Sequence, residues 1–341
     1  MDRQSRGRSI GSRRTFLGQA MGASLAVAAP RVGRAWAADE KIVFRLDWIP
    51  FGRHAPYYVA VAKGYYGSAG LDVTVEQGTG TLQGFRAVAA GQAQFNFGDI
   101  GSMIVVRGKE GLPLKAVACI YQKPPHTIFF IKGKGISKPK DLERKKIAYS
   151  PGDAVKAVFP AFVKANGIDE SKVGWLSVDP NSKNSALLNY TADAMMTFNL
   201  TLPVLQKAAR PGDEIGTFVY GDWGVDFYAN GLLAMEDYIA KKPDAVRRFV
   251  QATLKGVEYT LANPQDAVAI MKKTHPQLNE ELALREIPIL KDLIVTGFTR
   301  DKGIGRMTRE KMQQTRDLVM QYMNLKTAVP VDSLFTNEFL G

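Results

Sequence analysis

The sequence predicts an α/β fold with largely parallel sheets, and three observations predict it. From Lys41 to about residue 220, short apolar segments with strand-like alternation take turns with amphipathic helical segments. Glycines such as Gly64 and Gly91 close several of the helical segments. From Met235 onward the pattern turns almost wholly helical.

Taken in order, "KIVFRLDW" reads as a strand, "APYYVAVAKG" as a helix and "LDVTVEQG" as a strand. "LQGFRAVAAG" is a helix, "AQFNFGD" a strand, "GSMIVVRG" a helix and "LPLKAVACIY" a strand. A second α/β series begins at "TIFFIKGKGISKPKDLERKKIAYSPGD", which places Gly, Lys and Pro between two apolar strands. It continues through "DAVKAVFPAFVKANG" (helix), "VGWLSVD" (strand), "SKNSALLNY" (helix), "ADAMMTF" (strand), "TLPVLQKAA" (helix) and "EIGTFVY" (strand). In "KPDAVRRFVQATLKGVEYTLANP", Val246, Phe249, Val250, Leu254, Val257 and Leu261 share one helical face, bounded by Pro243 and Asn263-Pro264. Residues 280–294 and 308–324 also read as helices.

The 341 residues, 45% hydrophobic and 23% charged, suffice for two core-bearing units. Residues 1–37 stand apart: an Arg-rich leader, "SRRTFL" (Ser12 to Leu17), a weakly apolar run, then Ala35-Trp36-Ala37. Together they look like a twin-arginine export signal cut after Ala37, with a basic disordered arm as the alternative. This leader holds seven Arg and one Asp, so its removal lowers the net charge from +12 by six, to +6. The remaining 38 basic and 32 acidic residues are intermixed, without the Lys/Arg block of a nucleic-acid stripe. Cys119 is the only cysteine, which excludes an intramolecular disulfide and leaves no cysteine at the cleavage point for a lipid anchor. The expectation is a soluble periplasmic protein, monomeric, with no nucleic-acid partner.

Catalytic and cofactor signatures are missing from the sequence. The three histidines lack metal-ligand spacing, no G-x-S-x-G elbow occurs, and "GTGTLQG" lacks the Lys-Ser/Thr of a phosphate loop. No metal or cofactor is therefore expected. Strand-to-helix junctions are the places to look instead, because helix N-termini at the carboxyl edge of a sheet present free N–H groups.

At "DWIPFGRHAPYY", Trp48 and Tyr57 or Tyr58 offer flat faces, while Asp47 and His54 offer hydrogen bonds. Core packing and loop capping are the plain alternatives. At Gly78–Gln83, Thr79 and Thr81 sit between glycines that let backbone amides approach a ligand, or simply form a turn and a cap. Asp99 and Ser102 open the helix after "AQFNFGD", as ligand contacts or as a helix cap. In the second series Gly152 and Asp153 open a helix, and Asp193 sits on a short strand with Phe198 at its end, Asp193 with a structural alternative.

The stretches "LDWIPFGRHAPYYVAVAKGYYGSAGLDV", "VAAGQAQFNFGDIGSM", "ISKPKDLERKKIAYSPGD" and "TADAMMTFN" together resemble the substrate-binding proteins of ABC importers that handle thiamine-pyrimidine precursors, sulfonates and nitrate. The resemblance spans residues 41 to 270. It implies a two-lobed periplasmic-binding-protein fold of type II with two hinge crossings. Residues 38–125 and 228–341 would form the first lobe, with the C-terminal helices on it, and 126–227 the second. It also implies a small-molecule ligand held in the cleft, a permease partner in the inner membrane, and no catalysis.

The ligand it suggests first is a pyrimidine-like heteroaromatic, with a sulfonate, nitrate or aromatic carboxylate as the alternative. Phe51-Gly52-Arg53 depart from the pyrimidine branch, where an Asn is usual after the Pro. For an anionic ligand Arg53, Arg86 and Lys156 are conceivable partners, each with a solvated surface charge as the alternative. The same fold also hosts a pyrimidine-precursor synthase and Cys-dependent desulfinases, which makes Cys119 a residue to locate.

Overall fold

The computed structural model describes residues 40–323, 325 and 329–341. The export-signal reading of residues 1–37 lies outside them. Ten strands form two five-stranded sheets. The first contains β1 (Glu40–Arg45), β2 (Leu71–Glu76), β3 (Phe95–Asp99), β4 (Leu114–Cys119) and β10 (Asn230–Met235), in the order β2-β1-β3-β10-β4. The second contains β5 (His126–Ile131), β6 (Lys146–Tyr149), β7 (Gly174–Ser177), β8 (Ala194–Phe198) and β9 (Ile215–Val219), in the order β7-β6-β8-β5-β9.

Each sheet departs from the parallel arrangement at one strand, and the same cause applies to both. β1 pairs in parallel with β2 and β3, but β10 is antiparallel to β3 and β4. β6 is parallel to β7 and β8, but β5 is antiparallel to β8 and β9. The chain enters the second sheet at His126, opposite Phe198 at the carboxyl end of β8, and re-enters the first at Asn230, opposite Asp99 at the carboxyl end of β3. A strand entering at the carboxyl edge must run back against its neighbours. Both crossings therefore join carboxyl edges. They are also tied to each other: Ile120 and Tyr121 N–H donate to the Asn230 carbonyl, and Ala229 N–H to the Tyr121 carbonyl.

The first lobe's core is aromatic. Phe249, from the Pro243–Ala262 helix, stacks on Phe95 with ring centroids 3.9 Å apart and on Tyr66 at 5.5 Å. Val246, Phe249, Val250, Leu254 and Val257 of the predicted face are buried, and Leu261 is half-buried. This helix lies against Ala55–Ala62, and Gly256 marks the close approach: a Cβ there would lie 2.3 Å from the Pro56 carbonyl oxygen.

The single helix predicted for "DAVKAVFPAFVKANG" is two, Ala154–Ala157 and Phe159–Ala165. Pro160 cannot donate to the carbonyl four residues back, and its ring crowds that carbonyl, so the helix restarts at Phe159. The later helices Glu280–Ile294 and Arg309–Met323 stand where the periodicity places them. Glu280–Ile294 also reaches the second lobe, where Glu281 pairs with Lys207 and Arg285 donates to the Gln206 side chain at 3.0 Å. Among the described residues no helix is long and apolar enough to cross a membrane.

Candidate ligand cavity between the lobes

A cleft with about 290 Å³ of atom-free space, open in part to solvent, lies where the two carboxyl edges face each other. Asp47, Trp48, Arg53 and Thr81 line it from the first lobe, and Asp153, Ala154, Lys183, Thr197 and Phe198 from the second. The lobes also touch beside it, through two glycines in backbone conformations that L side chains rarely adopt, Gly80 (φ 148°) and Gly152 (φ 78°). A Cβ on Gly80 would lie 2.9 Å from the Gly152 carbonyl oxygen, so this approach requires glycine.

The first-lobe wall is built around a buried carboxylate. β1 ends at Arg45, and Asp47 lies in the loop that follows. Asp47 accepts from His54 Nε2 at 2.8 Å, from Asn230 Nδ2 at 3.1 Å and from one Arg53 guanidinium nitrogen at 3.3 and 3.4 Å. The Phe51 N–H donates to His54 Nδ1 at 3.0 Å, which places the ring proton on Nε2, facing Asp47.

Burial opposes ionisation of Asp47, but the Arg53 guanidinium and the His54 hydrogen bond outweigh it and hold the carboxyl below its ordinary value. Burial, reinforced by Arg53, pushes His54 down to about 4, so its imidazole is neutral. Behind Arg53 its backbone N–H donates to Glu286 at 2.9 Å, and burial pushes that carboxyl up to about 7. Among the described residues Arg53 Nε has no hydrogen-bond partner, and the Tyr121 hydroxyl lies beside the guanidinium.

The second-lobe wall has its own pair. Asp153 caps the Ala154–Ala157 helix by accepting from Val155 N–H at 3.1 Å, and it accepts from Lys183 Nζ at 2.5 Å. Lys183 also donates to the Met196 carbonyl at 2.9 Å, and only 3% of this lysine is exposed. The two lobes exchange cations. Lys183 Nζ lies 4.6 Å from the centroid of the first lobe's Trp48, and the Arg53 guanidinium carbon 5.5 Å from the centroid of the second lobe's Phe198.

Of the residues singled out from the sequence, Asp47, Trp48, Arg53, Thr81, Asp153 and Phe198 line this cavity, whereas the others stand elsewhere. His54 lies one layer behind, orienting Asp47. Tyr57 is core, its ring 5.0 Å from Phe44 and 5.1 Å from Phe97, and Tyr58 packs edge-on against His275. Thr79 is exposed at the turn. Asp99 caps the Ile100–Glu110 helix by accepting from the backbone N–H of the buried Ser102 at 2.6 Å, and its other oxygen lies 3.3 Å from His126 Nε2. Gly152 serves the interlobe contact. Asp193 is exposed and accepts from Lys146 N–H at 2.8 Å, tying β8 to β6.

Among the three cations considered, Arg53 is buried in the cavity wall, Arg86 is exposed, and Lys156 stacks on Trp175 and pairs with Glu170. Sequence reading missed Lys183, Thr197 and Ala154. Lys183 opens an amphipathic helix and looks like an ordinary solvated lysine, and the only signal to the contrary is Asp153, thirty residues away.

Comparison with known proteins gives a consistent picture. The riboflavin-binding protein RibY of Chloroflexus aurantiacus is 26% identical over 313 residues, which cover 88% of this chain and 86% of that protein. The formylaminopyrimidine-binding protein of Halalkalibacterium halodurans is 28% identical over 246 residues, 71% and 73% of the two chains. Other relatives, at lower identity, are named as 4-amino-5-hydroxymethyl-2-methylpyrimidine phosphate synthases. Among solved structures, the alkanesulfonate-binding protein SsuA of Xanthomonas axonopodis superposes with a TM-score of 0.70 at 12% identity, covering 88% of this chain and 99% of that one; the likeness is one of fold. The sequence profile described as NMT1/THI5 like matches residues 52–267, well over half of the chain, and the chain belongs to that family.

Proposed function

We propose that this protein is the exported, soluble ligand-capturing component of an ABC importer, and that it holds a small planar heteroaromatic of the pyrimidine or thiamine-precursor type between its lobes. One observation carries the reading: Trp48 and Phe198 come from opposite lobes to the same cavity, between two buried acid–base pairs. A ring there gains apolar contact with the aromatic side chains and hydrogen bonds at its edge. The names of RibY and the formylaminopyrimidine-binding protein, both binders of heteroaromatic compounds, support this class. A free sulfonate or nitrate fits the cavity less well, because both cations in it already have a carboxylate within their own lobe.

In this reading the chain leaves the cytoplasm by the twin-arginine route, loses residues 1–37 and works unanchored in the periplasm as a monomer. Residues 38–125 with 228–341, and 126–227, are the two bodies that close on the ligand by hinge motion, and the closed form docks on an inner-membrane permease.

Binding without turnover also agrees with Cys119. Its thiol is buried in β4 and donates to the Tyr121 carbonyl at 3.2 Å, and burial pushes its pKa far above the ordinary thiol value. The synthase relatives make product analysis part of the test.

That test is a thermal-shift screen against pyrimidines, thiamine precursors, flavins, sulfonates, nitrate and aromatic carboxylates. A ligand binding only the folded state adds about 2.7 kcal/mol at a hundredfold excess over its dissociation constant. A saturable shift with a heteroaromatic and no product is the expected result. A shift with sulfonate or nitrate alone, or conversion of the hit, overturns it.

A further inference from the structure

We infer that the second lobe selects neutral heterocycles with a ring –CO–NH– edge, reading the carbonyl with Lys183 and the N–H with Asp153; the inference rests on the heteroaromatic reading above and, within it, sets cyclic amides ahead of aminopyrimidine thiamine precursors. It follows from counting donors and acceptors around the cavity. An ammonium has three N–H bonds, and Lys183 directs two of them at Asp153 and the Met196 carbonyl. The third has no protein acceptor among the described residues and lies on the Trp48 side, where the ammonium sits over the ring. Both residues line the cavity, where this N–H is the one Lys183 has left for a ligand.

Asp153 has spare capacity as well. A carboxylate has about four acceptor positions, and this one receives Val155 N–H and Lys183 only. A free donor and a free acceptor within one hydrogen-bonded pair match a ligand edge with a carbonyl next to an N–H. An aminopyrimidine edge, with a ring nitrogen beside an exocyclic amine, presents the amine to Asp153 but only a weaker ring acceptor to Lys183.

The first lobe reinforces this choice. Asp47 already accepts from three donors, His54, Asn230 and one Arg53 nitrogen that spans both of its oxygens, which leaves it at most one acceptor position for a ligand amine. What the first lobe offers besides is the guanidinium of Arg53, a residue 5% exposed, which can only donate, and the Thr81 hydroxyl, which can donate or accept. A ligand facing both lobes must therefore be acceptor-rich on the Arg53 side and mixed on the Lys183 side. Charge points the same way. Below pH 7, with Glu286 protonated and His54 neutral, Arg53 and Lys183 balance Asp47 and Asp153, so an ionic ligand brings an uncompensated charge into a buried site, and a neutral cyclic amide or imide does not.

The test compares ring ligands with reversed edges, uracil and 2,4-diaminopyrimidine being matched in size. The full chain is titrated calorimetrically with uracil and lumazine, both cyclic imides, and with 2,4-diaminopyrimidine and benzenesulfonate. The same titrations follow on the double variant Asp153→Asn/Lys183→Met, which removes the pair without leaving one charge buried alone. The imides are expected to bind at least tenfold more tightly than the diamine, and the double variant to lose that preference while keeping a cooperative thermal transition. Equal or tighter binding of the diamine overturns the inference and leaves the heteroaromatic reading standing, and so does an imide preference that survives in the folded double variant. Binding of benzenesulfonate with neither ring series overturns both. If the double variant does not fold, the ratio between imide and diamine on the unmodified chain still decides.

Discussion

Lys183 and Trp48 belong to different lobes, yet the lysine ammonium lies 4.6 Å from the centre of the indole while Asp153 holds it from behind at 2.5 Å. The contact joins the lobes at the cavity and fixes which side of the indole is charged. It makes the tryptophan face part of a polar, aromatic wall rather than of a core. Trp48→Ala is therefore expected to weaken binding of the ligand found in the screen by tenfold or more, about 1.4 kcal/mol, with the thermal midpoint little changed. Calorimetric titration of the variant checks this, and unchanged affinity removes Trp48 from the site.

The Lys183–Asp153 pair, 4% and 6% exposed at its side chains, responds asymmetrically to mutation. Lys183→Met leaves a carboxylate buried without its cation, a loss of about 3–5 kcal/mol. Adding Asp153→Asn removes the stranded charge and is expected to restore most of that loss. Urea unfolding of the two variants measures the difference, and a double variant no more stable than the single one contradicts the account.

Gly256 sets two effects against each other. Replacing a mid-helix glycine by alanine favours the helix by about 1 kcal/mol. Here the new Cβ would stand 2.3 Å from the Pro56 carbonyl oxygen and 2.9 Å from the Ala60 Cβ, and backbone cannot move aside as a side-chain tip can. Overpacking of about 1–3 kcal/mol wins. Gly256→Ala is expected to lower the thermal midpoint, whereas a rise would mean that the two helices separate easily.

The pH dependence of stability combines two opposed groups. Glu286 titrates near 7 when folded and near 4.5 when unfolded, so the stability that its proton lends is complete below 4.5 and is lost as pH rises through 7, about 3 kcal/mol in all. His54 titrates near 4 when folded and near 6.5 when unfolded, so its contribution is present above 6.5 and lost as pH falls through 4. Their slopes offset each other between 4.5 and 6.5, and above 6.5 the Glu286 loss alone remains. Glu286→Gln is expected to abolish the decline between pH 6.5 and 7.5 and to expose a stability that rises from pH 4 to 6.5. Unfolding free energies from pH 4 to 8 test it, and a variant that keeps the decline above 6.5 assigns it to another group.

The alternation of strands and helices was legible because each element carries its own period, as in "KIVFRLDW" and in the Phe249 face. Strand direction was not legible. Nothing local in "TIFFI" or "NGLLAM" says that these strands run against their neighbours, since direction follows from where a crossing enters the sheet. The break before Pro160 was readable from the proline itself. At the site, Trp48, Thr81, Asp153 and Phe198 drew attention as side chains at strand ends, and they line the cavity. Tyr57 carried the same signal and is core, because its side of the helix faces the sheet, where its ring packs on Phe44 and Phe97. Arg53 and Lys183 look like surface charges until their carboxylate partners are seen, and folding alone brings Asp153 to Lys183.

Thr127 and Val219 are paired residues on adjacent strands, at the start and end of the second sheet's chain segment. That segment leaves the first lobe and returns to it at neighbouring points, so in topology it is a cassette spliced into an otherwise continuous host. A cassette with adjacent ends can be exchanged as one piece without restringing the host, and it would carry Lys183 and Asp153 with it while Trp48 and Arg53 stay behind. Ligand preference and the first lobe's framework can therefore diverge independently, by replacement of a single contiguous stretch of chain.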